Sequence, residues 1–133
     1  MVMLKTKSII EKKQESDGLR ISIMSRHTLN DGVTPHPQIN SSSYDLWMRV
    51  FSPPLSLLGD YYEKGLSWDQ FEKRYLAYLQ TPEVLAQVQT LALTSLDSTI
   101  TLLCIEQFPD YCHRRLLAEE CKKYKPLLEL SIK

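Results

Sequence analysis

A buried β-strand is predicted by the apolar, β-branched run Thr99-Ile100-Thr101-Leu102-Leu103-Cys104-Ile105. After a short loop, Asp110 is a suitable N-cap for an amphipathic helix over residues 111–124. Residues 127–132 then predict a last short strand. Strand, helix and strand together form a βαβ unit, in which the two strands run parallel.

The triplet Cys112-His113-Arg114 is predicted to lie in the first turn of that helix, with Cys112 at the second and His113 at the third helical position. The free N–H groups and the dipole at a helix N-terminus favour negative charge, and they lower the pKa of a cysteine placed there. In open α/β sheets, ligands bind at the carboxyl ends of the strands. The sequence therefore predicts a ligand site within residues 106–114.

The remaining elements are read from hydrophobic periodicity and from capping signals. Asp17-Gly18 predicts a turn before a strand with one buried face. Tyr61-Tyr62 is predicted to lie in a loop beside Gly59 and Gly65. The predicted strands cover residues 5–12 and 19–24, and the predicted helices cover 44–51, 68–79 (capped by Ser67) and 82–96. These elements indicate one compact α/β domain over residues 1–133, with a small, mainly parallel sheet flanked by helices.

A long polar segment, residues 25–43, follows the second predicted strand. It contains Gly32, two prolines and three consecutive serines, so it is predicted to be an unstructured loop. Loops of this length in a compact domain are often functional or mobile. It begins with Ser25-Arg26-His27, which offers a cation and a proton carrier just past a strand end.

The overall composition narrows the class of function. Sixteen Lys and Arg residues balance sixteen Asp and Glu residues, which argues against a protein that coats nucleic acid by neutralising phosphates. No apolar run is long enough to span a membrane, and the start, Met1-Val2-Met3-Leu4-Lys5, lacks the apolar core of a signal peptide. Three irregularly spaced cysteines suit a reducing compartment. We expect a cytoplasmic protein, and nothing in the sequence indicates a cofactor.

These residues lead to the hypothesis of an anion-binding cleft whose side chains could also catalyse a reaction. Its ligand would be a small molecule that bears phosphate, or a nucleic-acid end, held by the helix N-terminus. A proton would be carried by one of two histidines, and the thiol would be a nucleophile or a donor to the ligand. The candidate catalytic residues are Cys112, His113, His27 and Glu106, with Glu106 orienting a histidine, and the candidate ligand-binding residues are Arg26, Arg114, Ser25 and Asp17.

Three alternatives remain open on the sequence alone. Cys112 could be a small core residue and His113 could be hydrogen-bonded to a loop carbonyl, with Arg114 and Arg115 paired to Glu119 or Glu120. The protein could instead be a non-catalytic module that binds a protein or nucleic acid through residues 25–43 and the Tyr61-Tyr62 loop. A structural zinc site would need Cys104 with Cys112, His113 and His27, but this spacing matches no compact zinc pattern, so no metal site is predicted.

The chain resembles the family called domain of unknown function 488, from about Lys7 to Pro126. The marks of the resemblance appear in order along the chain. They are Asp17-Gly18-Leu19-Arg20, Ser25-Arg26, Asp45-x-Trp47, Pro53-Pro54, Phe71-x-x-x-Tyr75, Thr99-Ile100-Thr101-Leu102-Leu103-Cys104, Glu106 and Cys112-His113-Arg114. The resemblance implies a compact α/β domain with a mainly parallel sheet, and it implies no particular activity. Many members carry an Asp-Arg-Leu-Trp-Pro-Arg-Gly-like stretch where this chain has Met24-Ser25-Arg26-His27-Thr28-Leu29.

Overall fold

A parallel five-stranded sheet organises the chain in the computed structural model, which describes residues 2–133. The strands are β1 (Leu4–Ser8), β2 (Leu19–Ser22), β3 (Leu46–Trp47), β4 (Ile100–Cys104) and β5 (Leu130–Ile132), in the order β3-β2-β4-β1-β5. The helices are α1 (Leu55–Lys64), α2 (Trp68–Leu79), α3 (Pro82–Thr94) and α4 (His113–Tyr124), with 3-10 turns at Glu15–Asp17 and Arg49–Phe51. The predicted α/β class, the mainly parallel sheet and the C-terminal βαβ unit, formed by β4, α4 and β5, are confirmed.

Strand β4 is the central strand, and all five of its residues are buried. Its two faces pack into different hydrophobic clusters, because side chains alternate along a strand. Leu102 belongs to the main core, which is formed largely by the helices, whereas Leu103 packs with Ile9 and Ile39 in a second, smaller cluster. Cys104 ends the strand and, by the same alternation, lies on the Leu102 face.

The turn predicted at Asp17-Gly18 is present and is required by close packing. Gly18 has a φ of 64°, and a Cβ at this position would collide with the Thr99 carbonyl oxygen. Only glycine combines that backbone angle with so close an approach.

Two predictions for the middle of the chain were wrong. Residues 44–51 form no α-helix, because Asp45 and Met48 donate their N–H groups to the carbonyl oxygens of Arg20 and Ser22, which pairs this segment with β2 as an edge strand. The Tyr61-Tyr62 pair lies in helix α1 and not in a loop. Gly59 is tolerated inside α1, and Gly65 ends the helix with a φ of 71°.

The start of α4 also differs from the prediction. Its N-cap is Cys112 and not Asp110, because Cys112 still belongs to a turn in which its N–H donates to the Pro109 carbonyl oxygen. His113 is therefore the first helical residue, two positions earlier in the helix than expected. The predicted strand over residues 5–12 is shorter, ending at Ser8.

The polar segment 25–43 contains no helix or named strand, as predicted, yet it is held in place by specific contacts. Thr28 and Pro35 form an isolated antiparallel bridge, and Ile39 is buried against the sheet. The Arg20 guanidinium donates to the Ser43 carbonyl oxygen at 2.9 Å, which anchors the end of the segment. No helix among residues 2–133 is long and apolar enough to cross a membrane.

Candidate functional site

A cleft of about 980 Å³ opens at the carboxyl ends of β2 and β4. Residues just past β2 form one wall, residues at the end of β4 form the floor, and the start of α1 closes the opposite side. The lining residues are Met24, Ser25, Arg26, Thr28, Leu29, Asn30, Asp31, His36, Ser52, Pro53, Leu55, Leu58, Gly59, Tyr62, Glu63, Cys104, Ile105, Glu106 and His113. The cleft lies where the sequence predicts a ligand site, because the carboxyl ends of adjacent parallel strands meet at one edge of a sheet.

A thiol–imidazole pair lies in this cleft. The Cys104 Sγ atom is 3.8 Å from Nδ1 of His113, and both side chains are almost entirely buried. The other ring nitrogen of His113, Nε2, lies 2.8 Å from the Ile23 carbonyl oxygen. A carbonyl oxygen can only accept, so Nε2 carries a hydrogen and the neutral ring presents the lone pair of Nδ1 to the sulfur.

Cys112 lies close to this pair but is not part of the cleft lining. The S–H of Cys112, the Arg114 charge and the N–H groups of Ile105 and Glu106 lower the pKa of Cys104, although burial alone would raise it. The pKa of Cys112 is raised, first by burial and then by its role as donor to Cys104. The two thiols therefore differ in character, and Cys104 is the one that favours the thiolate.

Arg114 is completely buried, and its guanidinium binds backbone carbonyl groups, whereas the sequence predicted an anion ligand or a pair with Glu119 or Glu120. Its Nη1 donates to the Glu106 carbonyl oxygen at 2.8 Å, and its Nη2 and Nε donate to the Lys133 carbonyl oxygen at 3.0 and 3.2 Å. The guanidinium thus ties the loop after β4 to the end of β5. Arg115 pairs with Glu119 at 2.9 Å and with Glu72 at 3.6 Å.

Glu106 lines the same cleft as the thiol–imidazole pair, but its carboxylate contacts Tyr62 and not a histidine. Its carboxylate accepts a hydrogen bond from the Tyr62 hydroxyl at 3.0 Å, and His113 is oriented by the Ile23 carbonyl. Tyr62 was not a predicted member of this site. Its proximity depends on helix α1, which the sequence pattern did not reveal.

Arg26 and Ser25 line the wall of the cleft that is formed just past β2, as the sequence hypothesis requires. The Arg26 guanidinium is exposed and makes one long hydrogen bond, 3.4 Å, to the Asn30 carbonyl oxygen. Asp31, Glu63 and Glu106 also line the cleft, so its charge is mixed and not uniformly positive.

Asp17 lies away from the cleft and is fully buried. Its carboxylate pairs with Lys7 at 3.0 Å and with Arg20 at 2.7 Å, and it also accepts the Gln14 N–H. Burial raises its pKa, but these partners together hold the pKa below its ordinary value. These contacts form a buried ion-pair cluster of Asp17, Lys7 and Arg20.

His27 contacts other residues than the thiol–imidazole pair. Its ring lies 3.8 Å from that of Trp47, and its Nε2 is 2.7 Å from the Ser22 hydroxyl. Burial, followed by the nearby Arg49 charge, lowers the pKa of His27.

The lowered pKa of His27 predicts a pH-dependent contribution to stability. A histidine whose pKa is depressed by folding is protonated more readily in the unfolded chain, so it stabilises the fold above its unfolded pKa of about 6.5. This contribution is lost as the pH falls through the folded pKa. Denaturation in urea at pH 7.5 and 5.5 should therefore show a larger loss of unfolding free energy for the wild-type chain than for His27→Gln. An equal loss in both proteins would contradict the prediction.

Three donor atoms near the cleft floor could hold a thiophilic metal ion. The ligand atoms of Cys104, Cys112 and His113 lie within 4.8 Å of one another, and all three residues are buried. His27, which the sequence analysis weighed as a fourth ligand, lies instead against Ser22 and Trp47.

Sequence reasoning selected Cys112 and gave Cys104 no catalytic role. The signal for Cys104 was nevertheless available, because it is the last residue of the buried strand and strand ends carry functional residues in open α/β sheets. Cys112 is the N-cap of α4 and does not line the cleft, and the start of that helix was predicted two residues too early.

The fold and the cleft define an α/β protein with a thiol–imidazole pair at the carboxyl end of the central strand of a parallel sheet. The chain belongs to the DUF488-N3a family, described as the active DUF488-N3 subclade, which matches residues 4–125. The resemblance to domain of unknown function 488 is thereby confirmed. No curated protein and no solved structure matches the chain.

Proposed function

We propose that this protein is a cysteine-dependent hydrolase or transferase that acts on a small anionic molecule in the cleft. Cys104 is the nucleophile, and His113 is the general base. One observation carries the proposal. Sγ of Cys104 lies on the cleft floor 3.8 Å from Nδ1 of His113, while the Ile23 carbonyl fixes the opposite edge of the ring at 2.8 Å.

This arrangement contains the three parts that activate a nucleophile. A thiol lies within reach of a base, and a third group orients the base. Here the third group is a backbone carbonyl at the end of β2, which is held by the sheet itself. Cys112 supports the pair as a hydrogen-bond donor to Cys104, which replaces the nucleophilic role that the sequence suggested for it.

The reaction that these groups support is group transfer through a covalent thioester or a related sulfur adduct. His113 Nδ1 takes the proton of the Cys104 thiol, and the sulfur forms a bond with the electrophilic atom of the substrate. The bond to the leaving group breaks, and that group departs with the proton from Nδ1. Water or a second acceptor then takes the bound group from sulfur and restores the thiol.

The ligand class follows from the walls of the cleft. Its volume, about 980 Å³, lies within the range of small-molecule sites. Arg26 and Ser25 offer donors to an anionic group on one side, and Glu63 and Glu106 offer acceptors to hydroxyl or amino groups on the other. A phosphate-bearing small molecule with polar substituents meets both requirements, and a nucleic-acid end is the larger alternative.

Alkylation by iodoacetamide, followed by peptide mass spectrometry, tests the nucleophile. Cys104 should react faster than Cys112 and Cys121 at neutral pH. His113→Gln and Cys112→Ala should each slow the reaction of Cys104, because each removes a group that favours the thiolate. Cys121→Ser, which alters a buried thiol elsewhere on α4, is the matched control and should leave the rate unchanged.

The same assay tests the ligand class. Adenosine monophosphate, used as a probe, should protect Cys104 from alkylation, and Arg26→Ala should weaken that protection about tenfold, as expected for one charge-assisted hydrogen bond. Slow alkylation of Cys104 that does not respond to His113→Gln would overturn the proposed nucleophile. The binding-module hypothesis, centred on residues 25–43, would then be the better account.

A further inference from the structure

A second thiol beside the nucleophile has no covalent role in the proposed reaction. Cys112 is the N-cap of α4, and its sulfur lies within 4.8 Å of both Cys104 Sγ and a ring nitrogen of His113. It is 2 % exposed and does not line the cleft, whereas Cys104 does. Cys121, the third cysteine, lies further along α4 against the Val88 carbonyl.

We propose that Cys104 is a site of oxidation by hydroperoxides and that Cys112 resolves the oxidised sulfur as an intramolecular disulfide. This inference rests on the proposed function, because it uses Cys104 as the nucleophile. It adds a modification site and a reversible state in which the nucleophile is blocked.

The chemistry proceeds in two balanced steps. His113 takes the proton of the Cys104 thiol, and the thiolate attacks one oxygen of hydrogen peroxide. The O–O bond breaks, and the hydroxide released takes that proton from His113 and becomes water, which leaves a sulfenic acid on Cys104. The sulfur of Cys112 then attacks the sulfur of Cys104. The S–OH bond breaks, the hydroxyl leaves with the proton of Cys112 as a second molecule of water, and the peroxide has oxidised two thiols to one disulfide.

The geometry favours each step. Cys104 lines a cleft that admits molecules far larger than peroxide, so the oxidant can reach the sulfur even though the side chain is only 5 % exposed. Cys112 lies beside it, because the ligand atoms of Cys104, Cys112 and His113 all fall within 4.8 Å of one another.

The sulfur atoms must approach to about 2 Å for a disulfide to form. Cys112 has an extended backbone with φ −136° and ψ 138°, and it follows a surface turn in which Phe108 and Tyr111 are exposed. Adjustment of this turn and rotation of the Cys112 side chain supply the movement, while Cys104 stays fixed within the sheet.

Treatment of the reduced, full-length chain with hydrogen peroxide tests the inference. Intact mass should fall by two hydrogen atoms, and peptide mapping should find Cys104 joined to Cys112, with full reversal by dithiothreitol. In Cys112→Ser the sulfenic acid should persist and be captured by dimedone at Cys104. Cys121→Ser should behave like the wild-type chain. The wild-type peptide map decides the question even if a variant fails to fold.

Two results would overturn the resolving role while leaving the nucleophile in place. One is progression of Cys104 to sulfinic acid in the wild-type chain without a disulfide. The other is inertness to peroxide in a sample whose Cys104 still reacts rapidly with iodoacetamide. Inertness to both reagents would overturn the proposed function together with this inference.

Discussion

Replacing Asp17 with Asn is expected to lower the free energy of unfolding by about 3–5 kcal/mol, the cost of breaking a buried ion pair from one side. Asp17 is fully buried, and both of its oxygens are paired with buried cations, Lys7 and Arg20. An amide of similar shape leaves the Arg20 guanidinium without its carboxylate partner and leaves Lys7 with only the exposed Glu11, at 4.0 Å. Urea denaturation of the wild-type and variant chains at pH 7 measures the difference.

The Asp17 effect carries a pH signature. Because folding lowers the pKa of this carboxyl, its stabilisation is fully present above the unfolded pKa of about 3.9 and is lost as the pH falls through the folded pKa. The gap between wild-type and Asp17→Asn should therefore narrow only below about pH 4. Asp60→Asn is the matched control, since Asp60 pairs with Arg74 at the surface, and it should change stability far less. A comparable loss of unfolding free energy in both variants would show that the buried ion pairs of Asp17 stabilise the fold no more than the surface pair of Asp60 does.

Replacing Arg114 with Ala is expected to lower the free energy of unfolding by about 3 kcal/mol or more, because a fully buried side chain and its network of charge-assisted hydrogen bonds are removed. Three hydrogen bonds join its guanidinium to the carbonyl oxygens of Glu106 and Lys133. The same change removes a positive charge that lowers the pKa of Cys104. Iodoacetamide should therefore alkylate Cys104 more slowly at neutral pH, in the fraction of the variant that remains folded.

Arg115→Ala is the control for Arg114→Ala. Arg115 adjoins it on the same helix, but its ion pairs with Glu72 and Glu119 are partly exposed, so the expected cost is about 0–1 kcal/mol. A selective loss of affinity for adenosine monophosphate in Arg114→Ala, with unchanged stability, would favour the anion-binding role that the sequence first suggested for Arg114.

The regular parts of this fold could be predicted because their patterns are local and long. Helix α2 occupies Trp68–Leu79, the predicted span, and the predicted cap Ser67 accepts the Gln70 N–H. The buried run that forms β4 and the turn at Asp17-Gly18 follow equally from neighbouring residues. From these elements the parallel sheet and the position of the cleft could be deduced.

The parts that could not be predicted depend on distant partners. Strand β3 is only two residues long and exists because β2 offers it hydrogen bonds across the sequence. Arg114 is buried because the carbonyl groups of Glu106 and Lys133 come together around it, and no local pattern encodes that meeting. The exchange of Cys112 for Cys104 as the cleft thiol has the same origin, since the cleft forms around the end of β4 from segments that are distant in the sequence.

The central place of β4 has a consequence for how the chain folds. Strands β1 and β2 come early in the sequence, yet each pairs with β4 and neither pairs with the other. During synthesis, the first two strands therefore leave the ribosome without the partner that joins them, since 91 residues separate β1 from β4 and 77 separate β2 from it. Closing so long a loop before the pairing is rewarded slows folding. The early strands expose unpaired edges until the segment that also carries Cys104 arrives, so the joining of β1 to β2 through β4 and the placement of the candidate nucleophile occur in one event.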